Sequence, residues 1–271
     1  MSRARDLDRF YEVLARLQSK LGGCRCLGAC GGRGGDGWRW PLQGVYFFFE
    51  PGEMREDGRT PRVVRVGTHA VSEGSKTTLW QRLSRHKGHE RGKYAGGGNH
   101  RGSVFRLHVG AALLAAADCA ADDTGDRARV RAVVGDPVRA WAREYDRDYL
   151  REVRATWGKG SSADQRTRDL EHPLECQVSA YIRRMPFLWV AVPGPAGTSS
   201  PRSIIESNAV ALLSNRHKPP IDPPSPNWLG LHAARAEIRE SGLWNVNYVD
   251  QPYDPSFIEL LDQFVAAMGA P

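Results

Sequence analysis

The sequence predicts an α+β fold, a small antiparallel sheet flanked by helices. Three observations carry that expectation. GVYFFFE (44–50) and RVVRVG (62–67) are short β-branched and aromatic runs joined by a polar loop, which most simply makes an antiparallel hairpin. The period then changes, and TTLWQRLSRHKG (77–88) sets Leu79 and Leu83 one helical turn apart. Later, FLWVAV (187–192) is a continuous apolar run bounded by Pro193-Gly194, as a buried strand would be.

The other elements follow from local pattern. Residues 3–20 carry Leu7, Phe10, Val13, Leu14 and Leu17 at helical spacing and lack the apolar core of a signal peptide, so an amphipathic helix is expected. GGCRCLGACGGRGGDG (22–37) is too rich in glycine for regular structure. Pro51-Gly52 is expected to end the first strand, and Arg59-Thr60-Pro61 to prepare the second. After the helix at 77–88 comes a glycine-rich loop, GHERGKYAGGGNHRG (88–102). SVFRLHV (103–109) reads either as a strand or as the start of a helix through the following alanine-rich run. The charged region from Asp118 to Glu171 holds several plausible helices, and HPLECQVSAYIRRM (172–185) places Val178, Ile182 and Met185 on one helical side. Ser200 and Pro201 supply an N-cap and a first-turn proline for RSIIESNAVALLSN, which Pro219-Pro220 closes off. Helices at 232–241 and 255–267 complete the chain, and no internal repeat is visible.

Composition narrows the class. With 41% hydrophobic and 25% charged residues in 271, the chain can bury a sizeable core without disulfides, which sets aside disordered and fibrous readings. No apolar run approaches the ~20 residues that span a bilayer, so a cytoplasmic protein with reduced thiols is expected, and no membrane partner. Cys24, Cys26 and Cys30 lie close together, but a four-ligand zinc site wants a second pair elsewhere, and Cys119 and Cys176 do not supply it. A glycine-rich loop with incidental thiols is the better reading. The net charge of +7 favours an anionic partner such as nucleic acid, though a mildly basic balance alone selects none.

One set of residues carries chemistry. The first strand opens Gly44-Val45-Tyr46 and the second closes Arg65-Val66-Gly67. The next helix holds Leu79, Arg82, Leu83 and His86, and the helix after FLWVAV holds Glu206, with Asn215 further on. Taken singly, each has a plainer explanation: Tyr46 as core packing, Arg82 and His86 as a solvated helix face, Asn215 as a C-cap. Glu206 is harder to dismiss, because a carboxylate among Ile, Ala, Val and Leu is costly unless paired or metal-bound.

In order and context the set resembles the GIY-YIG nuclease superfamily, in its restriction or defence-type endonuclease branch, over residues 44–86 and about 187–215. The resemblance implies a compact nuclease core at 44–215, with an N-terminal helix and glycine-rich loop at 1–43 and a C-terminal helical extension at 216–271. The long separation of Arg82 from Glu206 implies a large, mostly helical insertion at about 100–185, or else a wrong choice of carboxylate, with Glu171 and Glu175 as the fallback. It further implies a metal-dependent endonuclease on double-stranded DNA, leaving 5′-phosphate and 3′-hydroxyl ends. Glu206 would hold Mg2+ or Mn2+, Arg82 would clamp the phosphate, and Tyr46 would act as general base directly or through a metal-bound water. A phenol ordinarily titrates near ~10, so Tyr46 would need the positive charge of Arg82 and Arg65 beside it. His86 would orient Tyr46 or the water, and Asn215 completes the catalytic set. His69, Arg85, Lys87, Asn99 and Arg101 are the expected nucleic-acid contacts, the last two from the GGGNHRG segment, whose backbone could act as an anion nest. His89, His100 and His108 read as surface or core histidines. One active site per chain implies a homodimer or two sequential nicks for duplex cutting. The second motif has Arg65 where the family has tyrosine. That departure supports a rival reading, a non-cleaving nucleic-acid-binding module on a degenerate scaffold. A structural protein with a basic face is the blandest alternative.

Overall fold

The aromatic run that begins at Gly44 forms the middle of the sheet. The computed structural model of the chain describes residues 2–31, 40–121 and 147–269. Among these, strands β1 (Arg25–Cys26), β2 (Gly44–Met54), β3 (Pro61–Gly67) and β4 (Pro186–Ala191) make one antiparallel sheet in the order β1-β4-β2-β3. The hairpin expected from the two short runs is β2–β3.

Two strand expectations need correcting. Strand β2 does not stop at Pro51-Gly52 but runs on to Met54. Phe49 pairs with Val63 and Met54 with Pro61, so the register slips between them. The slip takes Pro51, which has no N–H to give, out of the ladder. The glycine-rich stretch is not wholly irregular either. Arg25 and Cys26 pair with Phe187 and Pro186, and a 3-10 turn follows at Leu27–Ala29. Its continuation at 32–37 lies outside the described residues.

The helices are α1 (Arg3–Lys20), α2 (Leu79–Lys87), α3 (Val104–Ala121), α4 (Arg147–Thr156), α5 (Gln165–Arg184), α6 (Pro201–Leu213), α7 (Ala236–Ser241) and α8 (Ser256–Ala267). The N-cap hydroxyl of Ser2 accepts the Arg5 N–H in α1, and Thr78 and Gln81 form a reciprocal capping box on α2. Residues 104–109 are helical rather than extended, because the Ser103 hydroxyl accepts the Arg106 N–H and starts α3. Helix α5 begins well before Pro173, capped by Asp164, and carries that proline inside it, leaving the Asp169 carbonyl without its helical donor. The helix expected at 232–241 is shorter, a 3-10 turn at Leu229–His232 standing before it, and left-handed Gly242 ends it. The expected insertion contains α3, α4 and α5, while its residues 122–146 lie outside the described ones.

Strand alternation divides the sheet into two faces with different tasks. Phe47 points toward α1 and α8, with its ring 5.8 Å from Phe10, which in turn lies 6.1 Å from Phe257. Tyr46 and Phe48 point the other way, toward His86 of α2 and Phe105 of α3, at 5.7 Å in both cases. One face is therefore plain core and the other carries polar groups into it.

Strand β3 is an edge strand, and the C-terminal part of the chain covers it. Trp244 N–H donates to the Val64 carbonyl at 2.7 Å. The Asn245 amide bonds both Val66 backbone groups, accepting from N–H at 3.1 Å and donating to the carbonyl at 2.8 Å. The edge is thus closed to other chains along this stretch. Arg3 ties the N-terminus to the end of α6, donating to the Leu212 and Ser214 carbonyls at 2.9 and 2.7 Å.

Gly67 stands opposite Tyr46 in the β2–β3 register, and the phenol lies across it. A Cβ at Gly67 would sit 2.3 Å from the Tyr46 hydroxyl. Gly67→Ala should therefore cost roughly 1–3 kcal/mol of stability, the usual penalty for an overpacked interior. Gly102→Ala, where an added Cβ meets nothing within 4 Å, is the matched control. Denaturant unfolding that finds the two variants equally stable would contradict the crossing.

Candidate active site

Four elements bring the site together: the start of β2, the end of β3, helix α2 and the second turn of α6. Tyr46 and Arg65 come from the hairpin, Arg82 and His86 lie one turn apart on α2, and Glu206 comes from α6. Tyr46 and His86 are both fully buried, with the Tyr46 hydroxyl 2.9 Å from His86 Nε2. On its other side, His86 Nδ1 is 2.8 Å from the Ser103 hydroxyl. Tyr46 and Phe105 meet the imidazole edge to face, which fixes its plane. Burial holds His86 well below its ordinary range, helped by the charges of Arg82, Arg65, Arg106 and Arg85, so the ring is neutral at pH 7.

Arg65 lies with its guanidinium 4.6 Å above the Phe105 ring and donates to the Trp244 carbonyl at 2.7 Å. Burial pulls it below its ordinary value. Tyr46 and Glu206 oppose that pull, while Arg82 adds to it. The Nε groups of Arg65 and Arg82 are both buried without a hydrogen-bond partner. Two guanidinium groups thus share one field with Glu206 as the carboxylate that faces both.

Glu206 is partly buried, and one of its oxygens accepts the Thr68 N–H at 3.2 Å. The Thr68 hydroxyl donates to the Gly44 carbonyl at 2.8 Å, so the ends of both motifs are tied beside the carboxylate. Burial raises the Glu206 carboxyl above its usual range, against the pull of Arg65, the Thr68 N–H and Arg82. Its second oxygen accepts nothing from the described residues. No group of three or more His, Cys, Asp or Glu side chains that could hold a metal occurs among the described residues, Cys24, Cys26 and Cys30 included. A caged ion such as structural zinc is therefore not matched. One carboxylate with a free oxygen does fit Mg2+, which keeps most of its waters and takes one or two carboxylates.

Several residues expected here have other partners. Asn215 lies beyond the end of α6, and its side-chain oxygen accepts from Arg3 at 3.0 Å and from the Ile221 N–H at 2.9 Å. It fastens a loop instead of joining Glu206. His69 is buried with Nε2 3.1 Å from the Leu42 carbonyl, and burial lowers it to about 4. Lys87 is buried on the Cys30 carbonyl and Glu90. Arg101 forms a two-pronged pair with Glu171 at 2.6 and 3.0 Å, and the exposed Asn99 accepts the Arg101 N–H at 3.0 Å. Arg85 is exposed. The fallback carboxylates are engaged too, Glu171 with Arg101 and Glu175 with His100 and Arg106. In the GGGNHRG segment a Cβ at Gly98 would meet the Arg106 guanidinium at 2.3 Å, so that glycine serves close packing and not an anion nest.

Ser103, Arg106, Thr68 and Asn245 support the site, and sequence reasoning missed them. A signal existed for two: Ser103 precedes an apolar run as an N-cap does, and Arg106 interrupts that run where burial would force it to pair. The roles of Thr68 and Asn245 arise only from the tertiary fold.

A family model described as the GIY-YIG domain matches residues 1–145 and 140–271 of the chain. No curated relative and no solved structure matches it. No helix among the described residues is long and apolar enough to cross a membrane.

Two predictions follow from the buried charges. His69 and His108 are lowered to about 4, and His86 well below its ordinary 6.5. Unfolding frees these rings to take protons, so the stability they contribute is present above about pH 6.5 and lost as pH falls toward 4. The Tm should drop between pH 7 and pH 5, and less so in His69→Gln; a flat Tm across that window would refute the assignment. For Glu206 the sign is opposite. A raised carboxyl favours the fold when protonated, and that gain is lost as pH rises through the raised value. Glu206→Gln should therefore melt higher than the parent at pH 7 and alongside it in acid, as thermal unfolding at the two pH values will test.

Proposed function

The chain belongs to the GIY-YIG domain family, and from that premise we propose that it is a metal-dependent endonuclease hydrolysing phosphodiester bonds of double-stranded DNA. The family's domain is a nuclease domain. The observation that supports this reading best is the meeting of Tyr46, Arg65, Arg82, His86 and Glu206 at one end of the hairpin, with two guanidinium Nε groups left without partners. A buried donor without an acceptor is costly, and a phosphate is the acceptor that would satisfy two of them at once.

In this reading Arg65 and Arg82 hold the non-bridging oxygens of the scissile phosphate and offset the charge that builds there in the transition state. Tyr46, as phenolate, takes the proton of the attacking water, and His86 fixes the phenol oxygen in place. Glu206 would hold Mg2+ or Mn2+, which when bound supplies a Lewis acid for the phosphate and the leaving oxygen. Tyr46 is fully buried, so water reaches it only as the incoming backbone displaces the side chains that cover it. Exposed Arg85, three residues after Arg82, would contact a neighbouring phosphate. The products would carry 5′-phosphate and 3′-hydroxyl ends, and a duplex cut would need a homodimer or two nicks in sequence. A restriction or phage-defence role fits this chemistry.

Two observations favour the rival, a binding module that does not cut: the burial of Tyr46, and Arg65 in place of the family's second tyrosine. Plasmid nicking with Mg2+ or Mn2+ decides between them. The wild type should cut, and Tyr46→Phe and Glu206→Ala should each lose about 10²- to 10⁴-fold in rate while keeping the native circular dichroism spectrum. No cutting by the wild type with retained, salt-sensitive DNA binding would establish the binding module. Cutting that survives Glu206→Ala would remove that residue as the metal ligand.

A further inference from the structure

We propose that Ser103 is a positioning residue, whose hydroxyl donates to His86 Nδ1 and so keeps the imidazole proton on Nε2, aimed at the Tyr46 oxygen. The consequence for catalysis rests on the nuclease reading, but the hydrogen-bond direction does not. Ser103, His86 and Tyr46 form a buried chain with links of 2.8 and 2.9 Å, and their exposures are 1, 0 and 0%.

The hydrogens in that chain can be counted. The neutral ring carries one proton, and each hydroxyl brings one. The Ser103 oxygen already accepts the Arg106 N–H at 3.3 Å, so its own hydrogen has only His86 Nδ1 as acceptor among the described residues. Two arrangements are open. In the first, the phenol donates to Nε2 and Nδ1–H donates to Ser103, which strands the serine hydrogen in a dry site. In the second, serine donates to Nδ1 and Nε2–H donates to the phenol oxygen, which strands the phenol hydrogen. The second becomes complete once Tyr46 has given up that hydrogen, and the first never does. Every donor then has an acceptor, and the anion lies in a positive field.

The groups that make the field come from every element packed around the chain. They are Arg65 from β3, Arg82 and Arg85 from α2, and Arg106 from α3, against two carboxylates, Glu206 from α6 and Glu175 from α5, the latter paired with Arg106. Four cations against two anions favour the arrangement that ends on a negative oxygen. In the proposed reaction the water O–H bond breaks and a new O–H bond forms on Tyr46, while His86 keeps its proton throughout. The imidazole is then a fixed donor to the base and not a relay that carries the proton away.

The test is the tautomer of His86 by long-range proton–nitrogen NMR at neutral pH, on the full chain. The expected result is Nε2–H in the wild type and in Ser103→Thr, which retains the hydroxyl. In Ser103→Ala, where nothing donates to Nδ1, the ring should shift toward Nδ1–H. Nicking should fall in Ser103→Ala on the order of ten- to a hundredfold in kcat with KM unchanged, as for other groups that orient a catalytic ring, and Ser103→Thr should restore it. A wild-type ring protonated on Nδ1, or a tautomer that Ser103→Ala leaves unmoved, would overturn the proposal. The wild-type spectrum alone suffices should the alanine variant misfold. If the wild type shows Nε2–H yet cuts nothing, the proposal stands and the nuclease reading fails.

Discussion

The position of His86, and through it of the Tyr46 hydroxyl, depends on one buried guanidinium, that of Arg106. It donates to the His86 carbonyl at 2.8 Å, to the Glu175 carbonyl and the Ser179 hydroxyl at 2.9 Å each, and to the Glu175 carboxylate. Those partners belong to the C-terminal turn of α2 and the middle of α5, while Arg106 itself stands in the first turn of α3. A charge with no exposed surface is tolerable only when paired in this way, and removing one partner of such a pair typically costs about 3–5 kcal/mol. Glu175 extends the network, accepting both the backbone and the Nδ1 hydrogens of His100, whose Nε2 in turn accepts the Gly158 N–H. The loop before α3 is thereby fastened to α5, and the backbone at Gly98 comes close enough to cover Arg106 because it has no side chain. His86 is held by its own carbonyl as much as by its ring.

The protein contains two kinds of buried ionic group, and the contrast separates support from site. Arg62 and Glu53 form a direct ion pair at 2.6 Å, joined by the Gly242 carbonyl and by Ser225, although the Arg62 Nε has no partner of its own. Arg65 and Arg82 differ in having no carboxylate at ion-pair distance among the described residues, with Glu206 facing both from further off. A folded chain retains such an imbalance at a cost in stability, and the raised carboxyl of Glu206 records the separate cost of burying that carboxylate against the pull of both cations. The neutral histidines around it follow from the same field, since burial and cations both disfavour a further positive charge.

The sequence made legible whatever local pattern determines. Helix α1, the β2–β3 hairpin, α2 and β4 are readable because apolar periods of 3.6 and 2, together with caps and turn residues, mark them. The convergence of Tyr46, Arg82, His86 and Glu206 was readable only as a family order, since no local rule relates α2 to α6. What stayed hidden depends on distant pairing. Nothing at Arg25-Cys26 announces a strand until β4 lies beside it, and nothing at Trp244-Asn245 announces cover for an edge. Partners are the other thing a sequence hides. Lys87 and Arg101 look like free charges for a polyanion, but a sequence displays charge without displaying partners, and both face acidic neighbours in the fold. Asn215 follows Glu206 at a distance along the chain that suits a shared helix, but the helix ends before it.

Arg65 gives the C-terminal extension a meaning that bulk and charge do not. An arginine at this place on β3 brings donors into a buried position where a tyrosine would bring one hydroxyl, and each of those donors needs an acceptor. The Trp244 carbonyl is one, Phe105 supplies the face on which the cation lies, and Asn245 locks the segment to the strand through both groups of Val66. The segment that caps the sheet edge is therefore the segment that orients the guanidinium. Arginine at 65 and cover at 244–245 are mutually dependent features, since the carbonyl that orients Arg65 comes only from the extension and closing the β3 edge is what brings it there. The extension thus orients one residue of the candidate site from outside the hairpin, and arginine in place of tyrosine exchanges a neutral hydroxyl for a cation in the same field as Arg82.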